Sequence, residues 1–222
     1  MILEKYGVQL KKISIEDIEL IRNKRNSEVI ASKMVYRDFI TENQQLKWFE
    51  SVNNMNNFYY LIIHNDQPIG LINEKDMNWK NLTSEAGMFI WEESYLKTII
   101  PSLATLILLE LGFEILLWNK TKIKIIENNH PAIIYNKQIG FKEVSRKKGV
   151  VFMELTRENY LIKTRKLVVA ATKSFENSNL VVKIPTDNKE LIIKVKEMLS
   201  NNNNIVFSNQ LNKFFSFSYK IK

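Results

Sequence analysis

Asn129-His130-Pro131-Ala132-Ile133-Ile134-Tyr135-Asn136-Lys137-Gln138-Ile139-Gly140-Phe141 reads as a helix with both of its ends marked. Pro131 suits the first turn, where a missing N–H is no loss. Gly140 stands where a helix closes on a residue of positive φ, and Phe141 is the apolar residue that commonly follows. Residues 121–126 before this stretch and 149–155 after it are short runs of β-branched and apolar residues. The spacing predicts strand, helix 131–139, strand.

The pattern extends in both directions. Residues 8–13 alternate as a first strand, and Ser14 caps a helix containing Ile18, Leu20 and Ile21. Thr41 with Gln44 three residues on has capping-box spacing and opens a second helix bearing Leu46, Trp48 and Phe49. Residues 58–64 and 69–73 form a hairpin around Asn65-Asp66-Gln67-Pro68, and residues 84–91 follow as a third strand after the turn at 78–81. The apolar run 99–118 reads as a helix from 101 to 118 buried on nearly all sides. Its Glu110 and Glu114 argue against a bilayer.

This order, with the 129–141 phrase, resembles the C-terminal half and overall plan of the GNAT superfamily of N-acetyltransferases. A second anchor is Leu20-Ile21-Arg22-Asn23-Lys24-Arg25-Asn26-Ser27, then Met34, Ile40-Thr41-Glu42 and Trp48-Phe49. It resembles the branch that acetylates UDP-linked 4-amino-4,6-dideoxy sugars on the route to pseudaminic acid, which also holds relatives that modify protein N-termini. The resemblance covers roughly residues 7–160. It implies an α/β GNAT fold over residues 1–160, with a central mixed, mostly antiparallel sheet flanked by helices. It also implies acetyl transfer from acetyl-CoA, as co-substrate, to a primary amine, with a nucleotide-linked amino sugar as the favoured acceptor.

Such an enzyme must hold a thioester, polarise its carbonyl and remove a proton from the attacking amine. The resemblance implies that strands 85–91 and 121–126 are parallel neighbours that part, freeing backbone amides around Met88, Phe89, Ile90 and Trp91 for acetyl-CoA. It assigns cofactor contacts to Asn129 and Tyr135, and to Lys97, Thr98, Ile99 and Ile100 at the start of the long helix, where phosphate is attracted. Glu85 takes the place of the family's base; by itself it reads also as a strand-end carboxylate, in solvent or paired with lysine. The proton donor falls between Asn136, which aligns with the family's tyrosine, and Tyr135, about 100° away around the helix. Arg22, Arg25, Met34 and Tyr36 are the implied acceptor residues, and the two arginines read equally as a brace at a helix–loop junction. The pyrophosphate loop departs from the family: Leu96 stands at the arginine position, Lys97 and Ile99 at glycine positions, and Pro101 removes a further N–H. Two alternatives follow from that departure, a non-catalytic GNAT-fold binding or assembly module and an acyltransferase using another acyl donor.

Composition sets limits on these readings. The 222 residues are 45% hydrophobic and contain no cysteine, which excludes disulfides and thiolate chemistry. The net charge of +8 is scattered, as suits an anionic small-molecule ligand, and no nucleic-acid partner is expected. No secretory signal is visible, so a cytoplasmic protein without a membrane partner is expected. His64 and His130 lack partners at metal-ligand spacing, and no metal is expected. Residues 166–222 read as a small α/β extension of no recognised family, with strands at 167–171, 180–184, 204–207 and 214–219. Between them, helix 187–200 places Leu191, Ile192, Val195, Met198 and Leu199 on one face. About fifty-five residues are marginal as an independent core, so this extension is expected to pack on the main domain or to form a homodimer.

Overall fold

The computed structural model describes residues 1–175, 179–199, 204–208 and 214–221. The chain opens with a hairpin, β1 (Ile2–Lys5) and β2 (Val8–Lys12), turned through Tyr6 and Gly7, both at positive φ. Helices α1 (Ile18–Asn26), α2 (Glu28–Ala31) and α3 (Glu42–Val52) follow, then β3 (Phe58–His64), β4 (Gln67–Asn78) and β5 (Thr83–Ile90). The expected caps are present. Ser14 forms a capping box with Asp17, and Thr41 accepts from the Gln44 amide while the Gln44 side chain accepts from the Thr41 amide.

Helix α4 (Ile100–Glu110) leads into a π-helical turn (Leu111–Ile115), then β6 (Lys120–Ile126), α5 (His130–Ile139), β7 (Lys142–Lys147) and β8 (Val150–Thr156). The α-helix therefore ends eight residues short of the expected 118, where Gly112 lies against the Trp118 indole. At the other stop, Gly140 has φ 131°, and the amides of Gly140 and Phe141 both donate to the Asn136 carbonyl. No described helix is long and apolar enough to cross a membrane.

The remainder is α6 (Arg157–Asn159), a second π-helical turn (Tyr160–Thr164), α7 (Arg165–Ser174), β9 (Leu180–Pro185), α8 (Lys189–Leu199), β10 (Ile205–Ser208) and β11 (Phe214–Tyr219). The strand expected at 167–171 is α7. Its buried Val168 lies one helical turn beyond buried Thr164 at the end of the π-turn, while Leu167 is exposed, a helical and not a two-residue period. The end of the expected helix at Ser200, the side chain of Met198 and residues Asn201–Asn203 lie outside the described residues.

The eleven described strands form one sheet in the order β10-β11-β9-β1-β2-β3-β4-β5-β6-β8-β7. The extension joins it edge to edge, since β9 pairs with β1 through Leu3↔Val182. Every neighbouring pair is antiparallel except β5 and β6. One face carries α1–α3 over a small cluster of Ile13, Ile21, Ile30, Phe49, Leu61, Leu71 and Trp91. The other carries the main core, which runs from α4 and α5 into the extension through Leu3, Ile107, Val168, Val182 and Phe217. Polar contacts tie α4 to β1 and its π-turn to the extension. Lys5 meets Glu110 at 2.7 Å with both side chains fully buried, and Glu114 accepts from Arg165 Nε and the Tyr219 hydroxyl.

Candidate active site

β5 and β6 pair in parallel only at Thr83↔Lys120, Ser84↔Thr121 and Glu85↔Lys122; beyond Glu85 the two strands part. The Trp91 amide donates to the Ile69 carbonyl on β4 at 3.0 Å. Since bonded residues alternate along an antiparallel ladder, Phe89 and Gly87 also address β4, whereas Ala86, Met88 and Ile90 turn their backbone groups toward the gap. The expected set of free amides is thus corrected to Met88 and Ile90. Phe89 and Trp91 have theirs committed to β4.

α4 begins at the open end of this gap. Its first turns carry the N–H groups that an α-helix cannot satisfy internally, less the one that Pro101 lacks. Thr98 Oγ1 lies 3.3 Å from the Ile100 amide and caps it, and Lys97, Thr98 and Ile99 are all exposed. Ile99 has φ −74°, so this turn is ordinary right-handed backbone.

From the far side, α5 contributes Asn129, whose Oδ1 caps the helix by accepting from the Ala132 amide. The Tyr135 hydroxyl donates to Thr105 Oγ1 on α4 at 2.9 Å, and burial raises its pKa despite hydrogen bonds with Thr105 and Ser102. Asn136 bonds back to the Ala132 carbonyl. One residue of rotation separates the two roles: Tyr135 braces α5 against α4, and Asn136 does not make that contact.

Glu85 lies on the face that carries α1–α3, with Lys75 Nζ 3.0 Å away on β4 and Lys124 Nζ 2.7 Å away on β6. Burial alone would raise its carboxyl, but the hydrogen bonds and charges of Lys124 and Lys75 outweigh that and hold its pKa below 4.5. Lys75 takes Oε1 and Lys124 takes Oε2, so each carboxylate oxygen carries one lysine.

The two arginines are placed differently. Arg22 is tied to Glu19 at 2.6 Å, to Glu42 and to the Ile40 carbonyl, and Asn26 clamps the Ile40 backbone by both amide and carbonyl. That is the brace at the helix–loop junction. Among the described residues Arg25 meets no carboxylate: Nη2 donates to the Tyr36 carbonyl, Nη1 is buried without a partner there, and the guanidinium sits 5.7 Å from the Phe89 ring. Met34 lines a cleft of about 520 Å³ with Val35, Arg37, Ile126, Lys148 and Val150 at the wide end of the strand gap. Sequence reasoning missed Arg37, Lys148 and Asn73. None stands in a motif: the loop after α2 carries Arg37, the β7–β8 turn carries Lys148, and the pairing of β4 with β5 places Asn73.

Residues 8–142 match the acetyltransferase (GNAT) domain. The chain belongs to the GNAT acetyltransferase family. Among solved structures this GNAT protein is similar to apo FdhC, described as a nucleotide-linked sugar GNAT, at 17% identity and TM-score 0.64, with 77% of this chain and 97% of that chain covered. It is also similar to the Vibrio cholerae spermidine N-acetyltransferase in complex with CoA and spermine, at 19% identity and TM-score 0.60, covering 70% and 98%. A domain from Methanocaldococcus jannaschii matches at 19% identity and TM-score 0.60, covering 67% and 97%. No curated protein sequence matches significantly. This GNAT enzyme transfers acetyl to an amine, and its family draws the acetyl group from acetyl-CoA.

Proposed function

We propose that this enzyme acetylates the amine of a nucleotide-linked amino sugar, using acetyl-CoA. The carrying observation is the charge balance of the face that meets the amine. Three of its carboxylates are engaged: Glu85 by Lys75 and Lys124, Glu154 by Lys120, and Glu127 by Arg146. Arg25, Arg37, Lys122 and Lys148 make no ion pair among the described residues. Unpaired cations beside neutralised acids favour a diphosphate-bearing acceptor and repel a polyamine.

In this reading acetyl-CoA supplies the activated acetyl group, and the unpaired backbone of Met88 and Ile90 and the start of α4 receive it. Glu85 removes the amine's proton once Lys124, the more exposed of its two partners, moves aside. The substituted loop at Leu96–Pro101 leaves the helix end to bind pyrophosphate with fewer close amides, so acetyl-CoA binds more weakly than to a glycine-bearing loop.

The test is CoA release from acetyl-CoA with a panel of acceptors: UDP- and TDP-linked 4-amino sugars, spermidine, and a peptide with a free N-terminus. Turnover confined to the nucleotide-linked sugars is expected. Turnover with spermidine alone overturns the proposal.

A further inference from the structure

We propose that the cleft between the loop after α2 and the β7–β8 turn holds the diphosphate of the acceptor, with Arg37 and Lys148 as its binding cations. The inference rests on the amino-sugar reading above and assigns one part of that substrate to one cleft.

The place of the cleft follows from strand register. On β6 the side chains of Ile123 and Ile125 enter the main core, so Lys122, Lys124 and Ile126 project from the opposite face, where Lys124 meets Glu85. Ile126 pairs directly with Val150 on β8, and both line the cleft. The cleft therefore opens on the face that meets the amine, whereas α4, whose start receives the CoA pyrophosphate in this reading, packs on the other. Ile126 stands two residues beyond Lys124, about 7 Å along the strand. That matches the reach of a pyranose from a 4-amine at Glu85 to the phosphate on its anomeric oxygen. At about 520 Å³ the cleft has the size of a small-molecule site.

Two cations reach it from elements far apart in the chain. Arg37 Nε donates to the Met34 carbonyl at 3.1 Å, which orients the guanidinium and leaves both terminal nitrogens without a partner among the described residues. Such a fork matches two oxygens of a phosphate. Lys148 stands at the tip of the β7–β8 hairpin with φ 51°, followed by Gly149 with φ 74°. The Glu127 amide ties this turn to the end of β6 by donating to the Gly149 carbonyl at 2.8 Å. Among the described residues Lys148 and Arg37 meet no carboxylate, and the carboxylate that lines the cleft, Glu127, is held by Arg146 at 3.0 Å. The cleft thus keeps two positive charges that a diphosphate neutralises and a polyamine does not.

The experiment compares wild-type enzyme with Arg37→Gln and Lys148→Asn, using a UDP-linked 4-amino sugar as substrate and free UDP, which carries the diphosphate without the amine, as inhibitor. Both side chains are exposed, and asparagine tolerates the positive φ at 148, so both variants should fold. Each substitution should raise KM for the sugar about tenfold, the loss falling in KM and not in kcat. UDP should compete with the sugar, and each substitution should raise its inhibition constant by about the same factor, with acetyl-CoA affinity unchanged by calorimetry. If UDP does not compete, or if either constant stays within about twofold of wild type, the cleft assignment is overturned and the amino-sugar reading stands. If acetyl-CoA affinity falls instead, the cleft serves the phosphates of the cofactor and the assignment is likewise overturned. If wild-type enzyme acetylates no amino sugar at all, both fall.

Discussion

Removing one member of the Lys5–Glu110 pair should destabilise this protein far more than removing both. The two groups meet at 2.7 and 2.8 Å with no side-chain exposure, joining β1 to the last turn of α4. Lys5→Met leaves the Glu110 carboxyl in the core without its cation, and breaking such a pair costs about 3–5 kcal/mol. For a chain of this size that is a fall in Tm of roughly 6–20 °C. Replacing both, as Lys5→Met with Glu110→Leu, removes the desolvated charges together, and the double variant should lie within about 2 kcal/mol of wild type. The single variant should also show a distinct pH dependence. Burial already raises the Glu110 pKa to about 7 with Lys5 present, and without Lys5 it rises further. The folded state then holds a proton that the unfolded chain releases above 4.5, so the variant loses stability as pH rises from there through the folded pKa. Urea denaturation of the four proteins at pH 5.5 and pH 8 measures both effects. A single variant within about 1 kcal/mol of wild type, or a double variant as unstable as the worse single one, would falsify the reasoning.

Glu74, buried beside the Trp118 indole N–H, has its pKa raised to about 7 by burial. Its ionisation opposes folding as pH rises from 4.5 toward 7, so Glu74→Gln should flatten the fall of Tm over that range and be the more stable form at pH 8; a Tm series against pH checks this. Glu85→Gln should lower kcat about 10²-fold or more with acetyl-CoA affinity unchanged, and a loss below about threefold would assign proton removal to another group. Because its two lysines hold Glu85 below 4.5, the wild-type pH–rate profile should show no acid limb from this carboxylate near neutrality. Lys97→Gly with Ile99→Gly should tighten acetyl-CoA binding by about tenfold or more if lost amide contacts are the cause of weak binding; calorimetry showing no gain means the pyrophosphate is held elsewhere.

Local chemistry was legible in the chain. The caps at Ser14 and Thr41 and the stop at Gly140 follow from short-range patterns, because a cap or a positive-φ stop is decided by residues within a few positions of each other; the parting of the two parallel strands came only through the family resemblance. The family was legible for the same reason: its phrase is a local strand–helix–strand unit. Residues 167–171 misled because five apolar residues satisfy a strand and a buried helix face alike, and only Thr164 and Val168 packing one turn apart distinguish them. β1 escaped notice because Lys5 stands at the second buried position of its four residues, and β7 because its only apolar residue, Val144, is exposed.

The roles of the site residues depended on contacts across long stretches of sequence. The sequence places Arg22 and Arg25 three residues apart in one motif, yet α3 and the Ile40 backbone saturate the first and leave the second without a carboxylate among the described residues. Glu85 is a candidate base in any strand, but only the register of β4 and β6 puts Lys75 and Lys124 on either side of it. The sequence by itself thus determined the elements and the family, through interactions spanning a few residues. Only the tertiary structure decided the charge and hydrogen-bond state of each functional group, because those depend on neighbours that the sheet brings in from elsewhere in the chain.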